Sequence, residues 1–95
     1  MSNFDYLDSQ SAVFKALGHS VRLYIVILLN EKDYCVQEIT EKIGYDISTI
    51  SRHLTILKST GIVESRKEGN CIYYSLKAHC VIGFLKCLSG IAMDR

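Results

Sequence analysis

Short hydrogen-bonding side chains and one guanidinium are concentrated between residues 47 and 60. At helical spacing they share one face, whose members are Ser48, Thr49, Ser51, Arg52 and His53. Hydroxyl groups and a guanidinium donate hydrogen bonds to base edges and phosphates, and a face without bulky side chains fits the major groove of DNA. We therefore predict that this segment binds double-stranded DNA. Arg52 is the candidate for a base contact, and His53 for a bond to a phosphate or a neighbouring backbone group.

Four cysteines supply a second candidate chemistry: Cys35, Cys71, Cys80 and Cys87. Thiolates bind soft metal ions and react with oxidants. Cys80 and Cys87 share one face of a predicted helix, with Cα atoms roughly 10 Å apart along an axis that rises about 1.5 Å per residue. A disulfide reaches about 7 Å, so these two thiols cannot pair within one chain. We interpret Cys71 as structural.

Two short predicted helices position the polar face. The apolar stripe of the first is formed by Val36, Ile39 and Ile43. Gly44 follows, where a left-handed residue can end the helix. After a turn, Asp46 or Ser48 can cap the second helix, which stops at Gly61. The apolar residues of this second helix are Ile47, Ile50, Leu54 and Leu57. Two further predicted DNA contacts on these helices are Gln37 and Lys58.

Residues 62–76 predict a β-hairpin with a basic tip. The first strand-like run ends in Arg66 and Lys67, residues 68–70 supply turn chemistry, and a second β-rich run covers residues 71–76. A helix-turn-helix followed by such a hairpin is a winged helix. We expect Arg66 and Lys67 to reach the DNA backbone beside the groove that the helix occupies.

Two helices are predicted before this unit. The first covers residues 9–18, with Ser9 or Ser11 as its cap, and its predicted inner residues are Ala12, Phe14, Ala16 and Leu17. His19 is predicted to be a turn residue, and Ser20 the cap of the second helix. Periodicity alone also allows a buried strand over residues 21–29. We predict a helix because the run continues to Asn30 without turn signals.

The last predicted helix covers residues 78–92 and is apolar around most of its circumference. Its apolar members are Val81, Ile82, Phe84, Leu85, Leu88, Ile91 and Ala92. A terminal helix of this kind needs cover on more than one side. We therefore predict that it forms the seam of a homodimer, packed antiparallel against its counterpart.

Length and composition predict one small domain, because 95 residues form one core. Acids exceed bases in residues 1–50, whereas bases exceed acids in residues 51–95, which contain the predicted DNA-binding helix and hairpin. This distribution favours DNA binding. The sequence has no Gly-rich phosphate loop and no apparent nucleophile paired with a base, so we do not expect an enzyme. With no apparent signal peptide or membrane span, we expect a cytoplasmic protein with reduced thiols.

Three sequence blocks occur in a specific order and spacing. They are residues 14–23 (FKALGHSVRL), 51–63 (SRHLTILKSTGIV) and 66–76 (RKEGNCIYYSL). Over roughly residues 12–92, the chain resembles the ArsR/SmtB family of small, often metal-sensing repressors. The resemblance implies a mainly α winged helix-turn-helix with one β-hairpin, dimeric through its terminal helices. It also implies a helix over residues 20–30 and a repressor that releases its palindromic operator when an inducer binds.

The same resemblance bears on the cysteines. Cys35 stands in a context resembling the Cys-Val-Cys segment of arsenite-responsive members, with Gln37 in place of the second cysteine. The antiparallel seam implied by the family would bring Cys80 near Cys87 of the partner. Only His79 matches the zinc ligands of this helix, since Lys77, Gly90 and Met93 occupy the other positions. The persulfide-sensing branch of the family has a cysteine in the second helix, and this chain has Val26 or Ile27 at that position.

The cysteines therefore predict a thiol-directed inducer, with arsenite or another thiophilic metal ion as the first choice. No cofactor is required in this interpretation. A repressor responsive to thiol oxidation or sulfide is the alternative, as is a winged-helix repressor without a ligand.

Overall fold

The protein is described by a computed structural model that covers residues 3–93, and side chains from residue 4 to residue 91. Five helices and three strands follow one another as α1 (Asn3–Leu17), α2 (Ser20–Glu31), β1 (Tyr34–Cys35), α3 (Val36–Ile43), α4 (Ile47–Ser59), β2 (Val63–Glu68), β3 (Cys71–Leu76) and α5 (Cys80–Met93). The predicted mainly α fold with one hairpin is confirmed.

The first helix differs from its prediction. It begins at Asn3, so Ser9 and Ser11 lie inside it, and the Ser9 hydroxyl donates to the carbonyl of Asp5 at 3.3 Å. Of its predicted inner residues, only Ala16 and Leu17 are buried; Ala12 is exposed, and Phe14 is 59% exposed. The reason is that the C-terminal end of α1 supplies its buried residues, while most of the helix projects from the core.

The second predicted helix is confirmed over the alternative strand. Its cap is His19, and the prediction of Ser20 is wrong by one residue, because His19 has extended backbone and its Nδ1 accepts from the Val21 N–H at 3.1 Å. The buried residues of α2 are Val21, Ile25, Val26, Leu28 and Leu29. This helix runs through the centre of the core.

Local capping sets the boundaries of α3 and α4 as predicted. Gly44 ends α3 at φ 90°, and its N–H donates to the Thr40 carbonyl at 2.8 Å. Asp46 caps α4, accepting from the Thr49 N–H at 3.3 Å. Ile47 was predicted to be inward, but it is 46% exposed because it occupies the first position of α4, ahead of the buried stripe. That stripe is Ile50, Leu54 and Leu57.

The hairpin is part of a three-stranded antiparallel sheet in the order β1-β3-β2. β2 and β3 form the predicted wing, and Gly69 enters its turn at φ 61°. The short strand β1 was not predicted; it pairs Tyr34 with Tyr74 and Cys35 with Tyr73. Since side chains alternate along a strand, Arg66 and Tyr73, which pair directly, share one face of the sheet.

Helix α5 is only partly covered by the rest of the chain. Val81 is buried, and Ile82 and Leu85 are partly buried against the core. Phe84, Leu88 and Ile91 are exposed. The side chains of Ala92 and Met93 lie outside the described ones. Within residues 3–93, no single helix is long and apolar enough to cross a membrane; α1 and α2 pass that test only as a pair, and this pair is bent by 90° at its break.

Candidate nucleic-acid interface

Helix α4 separates its apolar residues from its polar ones. Ser48, Arg52 and Lys58 are exposed, opposite the fully buried Ile50 and Leu54. Thr49 and Ser51, also predicted to contact DNA, are half-buried, and Gln37 is exposed in the first turn of α3. The structure therefore presents an exposed polar stripe along α4, and an α-helix with such a face can enter the major groove.

Thr55 lies on the exposed side of α4 but was not among the predicted contacts. Its hydroxyl donates to the carbonyl of Ser51 at 2.9 Å, within the same helix. The spacing from Arg52 places Thr55 about one helical turn further along, so helical periodicity would have found it.

His53 lies on the protein side of this stripe, half-buried between two side chains. Its Nδ1 is 3.2 Å from Nη1 of Arg22, and its ring centroid is 4.5 Å from that of His19. Burial lowers the pKa of His53, and the nearby His19, Arg22 and Arg52 lower it further. The structure thus supplies a side-chain partner for His53 where the sequence predicted a phosphate or a backbone group. Arg22 lies in the first of the three sequence blocks, but no contact with DNA or with His53 was predicted for it.

In the wing, the two predicted basic contacts have different surroundings. Arg66 Nη1 lies 2.6 Å from Asp33 Oδ2 and 3.1 Å from the Ser75 hydroxyl, and Nη2 lies 3.5 Å from Glu68 Oε2. The guanidinium also lies 5.3 Å from the centre of the Tyr73 ring. The hydrogen bond from Arg66 lowers the pKa of Asp33.

Lys67, the next residue, is exposed and makes no ion pair with any residue between 3 and 93. Of the two basic residues, Lys67 is therefore available to a phosphate without a rearrangement. Arg66 has to exchange its carboxylate partners for one.

The four cysteines are free thiols at three levels of exposure. Cys35 is buried at the start of α3, where its backbone N–H donates to Glu38 Oε1 at 2.9 Å. Burial raises the pKa of the Cys35 thiol. Cys71 is half-buried, and Cys80 and Cys87 are exposed on α5. In the part of the chain that the structure describes, no group of three or more His, Cys, Asp or Glu side chains is placed to hold a metal ion.

An apolar groove runs between α1, α2 and α5. It has a volume of about 290 Å³ and is lined by Phe14, Leu17, Gly18, Leu23, Phe84, Leu85 and Leu88. The rings of Phe14 and Phe84 meet edge to face with centroids 5.8 Å apart, which links α1 to α5. The exposed apolar side chains at this groove, Phe14 on α1 with Phe84 and Leu88 on α5, therefore form one surface, which we call the α1/α5 face.

Comparisons with known proteins agree with this architecture. The family model described as "Bacterial regulatory protein, arsR family" matches residues 19–65. The cadmium resistance transcriptional regulatory protein CadC of Listeria innocua is 41% identical over 78 residues, covering 81% of this chain. The chain spans 65% of the length of that relative.

Two solved structures are similar over nearly the whole chain. The solution structure of the homodimeric winged helix-turn-helix DNA-binding domain Mb0332 from Mycobacterium bovis, described as a possible ArsR-family transcriptional regulator, is 32% identical with a TM-score of 0.84. The match covers 99% of this chain and 89% of that one. The transcriptional repressor BigR from Xylella fastidiosa is 31% identical with a TM-score of 0.78, and 96% of each chain is covered.

Proposed function

Because the chain belongs to the arsR family of bacterial regulatory proteins, we propose that it is a homodimeric repressor released from operator DNA by a thiol-directed inducer. The observation that carries the proposal is the pairing of two surfaces on one small domain. One is the polar stripe of α4 beside a basic wing, and the other is the uncovered α1/α5 face. A chain of this kind binds DNA with one surface and a second copy of itself with the other.

The DNA contacts follow from the stripe on α4. In the proposed complex, this helix lies in the major groove, with Arg52 at a base edge and Ser48 and Lys58 toward the backbone. Gln37 stands at the start of α3, which crosses the backbone in helix-turn-helix proteins. The exposed Lys67 reaches a phosphate from the wing. Two such units on a palindrome require half-sites about 34 Å apart.

The dimer follows from the exposed apolar side chains of α5. Phe84 is 46% and Leu88 40% exposed in the single chain, and the apolar groove beside them continues to α1. Burial of such side chains drives association at roughly 25 cal/mol per Å² of apolar surface. The homodimeric M. bovis domain supports this assignment.

The inducer site is proposed on the same helix. Cys80, Gly83, Cys87 and Gly90 recur at helical spacing along one side of α5, and a Cβ added at either glycine would meet no atom within 4 Å. Such small side chains let two helices approach closely. With α5 antiparallel to its counterpart, the thiol of Cys80 comes near that of the partner's Cys87, twice per dimer. Soft sulfur ligands favour thiophilic ions.

Arsenite remains the preferred inducer, and the cadmium resistance regulator among the relatives supports a thiophilic metal ion more generally. Cys35 is a weaker participant because it is buried and its raised pKa disfavours the thiolate. Thiol oxidation is the second candidate. The two exposed cysteines of α5 favour it, since a disulfide between chains needs two sulfurs whereas arsenite takes three.

The decisive experiment measures operator affinity with and without each inducer. A duplex selected from a random pool serves as operator, and arsenite, cadmium, zinc, a polysulfide and a mild oxidant are added separately. Cys80→Ser and Cys87→Ser should abolish release, while Cys71→Ser, a matched control outside the seam, should retain it. Native mass spectrometry then gives metal ions per dimer and separates coordination from oxidation. Full release in both seam variants would place the sensor elsewhere.

A further inference from the structure

Arg22 joins the end of α1 to the DNA-binding helix. Its Nε–H donates to the carbonyl of Ala16 at 2.6 Å, and Nη2 lies 3.4 Å from the carbonyl of Lys15. Both carbonyls belong to the last turn of α1, where carbonyl groups lack helical partners and the helix dipole favours a cation. The remaining Nη1 faces Nδ1 of His53 at 3.2 Å. A single guanidinium therefore holds two elements that are distant in sequence.

This contact decides which nitrogen of His53 carries a proton. A guanidinium has only donors, so Nδ1 of His53 has to accept, and the proton of the neutral ring lies on Nε2. Within residues 3–93, Nε2 has no hydrogen-bond partner. The charged and titratable groups around the ring are His19 in the turn before α2, Arg22 on α2 and Arg52 on α4. All three oppose a second proton.

We propose that Arg22 is a positioning residue of the DNA interface, which fixes His53 as an Nε2–H donor toward a DNA phosphate and sets the orientation of α4 against α1. The inference rests on the proposed function and deepens it. His53 adjoins the exposed Arg52 on the same helix, so a donor there lies at the edge of the polar stripe. The hydrogen bond to Nδ1 prevents the ring from turning its acceptor nitrogen toward the negatively charged backbone.

The first test is nuclear magnetic resonance of the free protein, without DNA. Nitrogen-15 shifts of the His53 ring should show the Nε2–H form, and a titration should give a pKa below the usual value of about 6.5. Arg22→Gln should raise that pKa, because it removes a positive charge that opposes a second proton on the ring. An Nδ1–H ring in the wild type, or a pKa that does not change in Arg22→Gln, would overturn the proposal.

The second test uses near-isosteric replacements and operator affinity. In His53→Asn the amide oxygen lies near the place of Nδ1 and keeps the acceptor for Arg22, whereas in His53→Gln the amide nitrogen lies near Nε2 and keeps the donor. Each should lose part of the affinity, and His53→Ala more, roughly tenfold per lost bond to a charged group. Arg22→Gln should weaken binding when His53 is present and add little in His53→Ala.

Controls separate this idea from misfolding and from failure of the function. His79→Asn removes an exposed histidine outside the cluster and should bind as the wild type does. Circular dichroism and thermal melting identify variants that do not fold, and His53→Asn retains the Arg22 anchor if Arg22→Gln is unstable. A wild type that binds no duplex refutes the proposed function, while the resonance experiment still decides the role of Arg22. If Arg22→Gln folds and binds the operator with wild-type affinity, the positioning role of Arg22 is refuted, but the proposed function is not.

Discussion

The wing arginine offers a sharp test, because Arg66 is paired with Asp33 in the structure, whereas the sequence predicts that it contacts a DNA phosphate. The pair is a surface one, with the side chains of Arg66 and Asp33 46% and 42% exposed. Exposed ion pairs stabilise a protein little and are screened by salt. We therefore expect Arg66 to exchange Asp33 for a phosphate when DNA binds.

The size of the effect follows from counterion release. Each phosphate contact adds about 0.9 to the slope of log affinity against log salt, so Arg66→Ala should lower the slope of a dimer by roughly 1.8. Between about 50 and 200 mM salt, the affinity advantage of the wild type over the variant should then shrink roughly tenfold. Fluorescence anisotropy with a labelled operator measures both slopes.

Asp33→Asn tells a phosphate contact from a purely structural role of Arg66. If Asp33 competes with DNA for Arg66, the substitution should strengthen binding more in the wild type than in Arg66→Ala. The neighbouring Lys67→Ala is the matched comparison, since it should lower the slope without depending on Asp33. Equal salt slopes for Arg66→Ala and the wild type, together with weaker DNA binding by Asp33→Asn, would refute the reasoning. Arg66 would then serve only to link the wing to the turn before β1.

The remaining predictions address the seam, the thiols and base contact. Leu88→Glu places an unpartnered carboxylate in the dimer interface, at a cost of several kcal/mol, so sedimentation should show monomers and operator affinity should fall, whereas Lys86→Glu on the same helix should stay dimeric. Oxidant should produce a disulfide-linked dimer on non-reducing gels that is lost in Cys80→Ser and in Cys87→Ser; a linked dimer in both would contradict the antiparallel pairing. Arg52→Ala should cost about 1 to 3 kcal/mol of operator binding and relax specificity at one position; an equal loss on all sequences would assign Arg52 to the backbone.

Local sequence signals predicted the DNA-binding unit well. Gly44 and Asp46 act within a few residues of their own positions, so a left-handed glycine and an aspartate cap are visible in sequence alone. The start of α1 was missed because residues 3–10 carry no regular apolar stripe. Strand β1 was missed because two residues show no periodicity, and its pairing with β3 depends on the folded chain.

In the candidate site too, features set by neighbouring residues were predicted, whereas contacts between residues distant in sequence were not. The polar stripe on α4 is a property of helical spacing and was predicted, apart from Thr55. The contacts Arg22 to His53 and Arg66 to Asp33 join residues 31 and 33 positions apart, and no local pattern specifies them. The exposure of the cysteines also depends on the folded chain: Cys35 is buried at the start of α3, whereas Cys80 and Cys87 on α5 are exposed.

These long-range contacts connect the two surfaces of the molecule. The Phe14 and Phe84 rings join α5 to α1, and Arg22 holds the end of α1 against His53 on α4. In the proposed dimer, a shift of α5 against its counterpart would therefore have a contiguous path of packed and hydrogen-bonded groups to α4. An inducer at the seam acts only through its preference for one arrangement over the other, and a tenfold release of operator needs about 1.4 kcal/mol of such preference. Since metal coordination by thiolates supplies far more than this, we expect the proposed coupling through α1 and Arg22, and not the binding energy of the inducer, to set how completely the repressor is released.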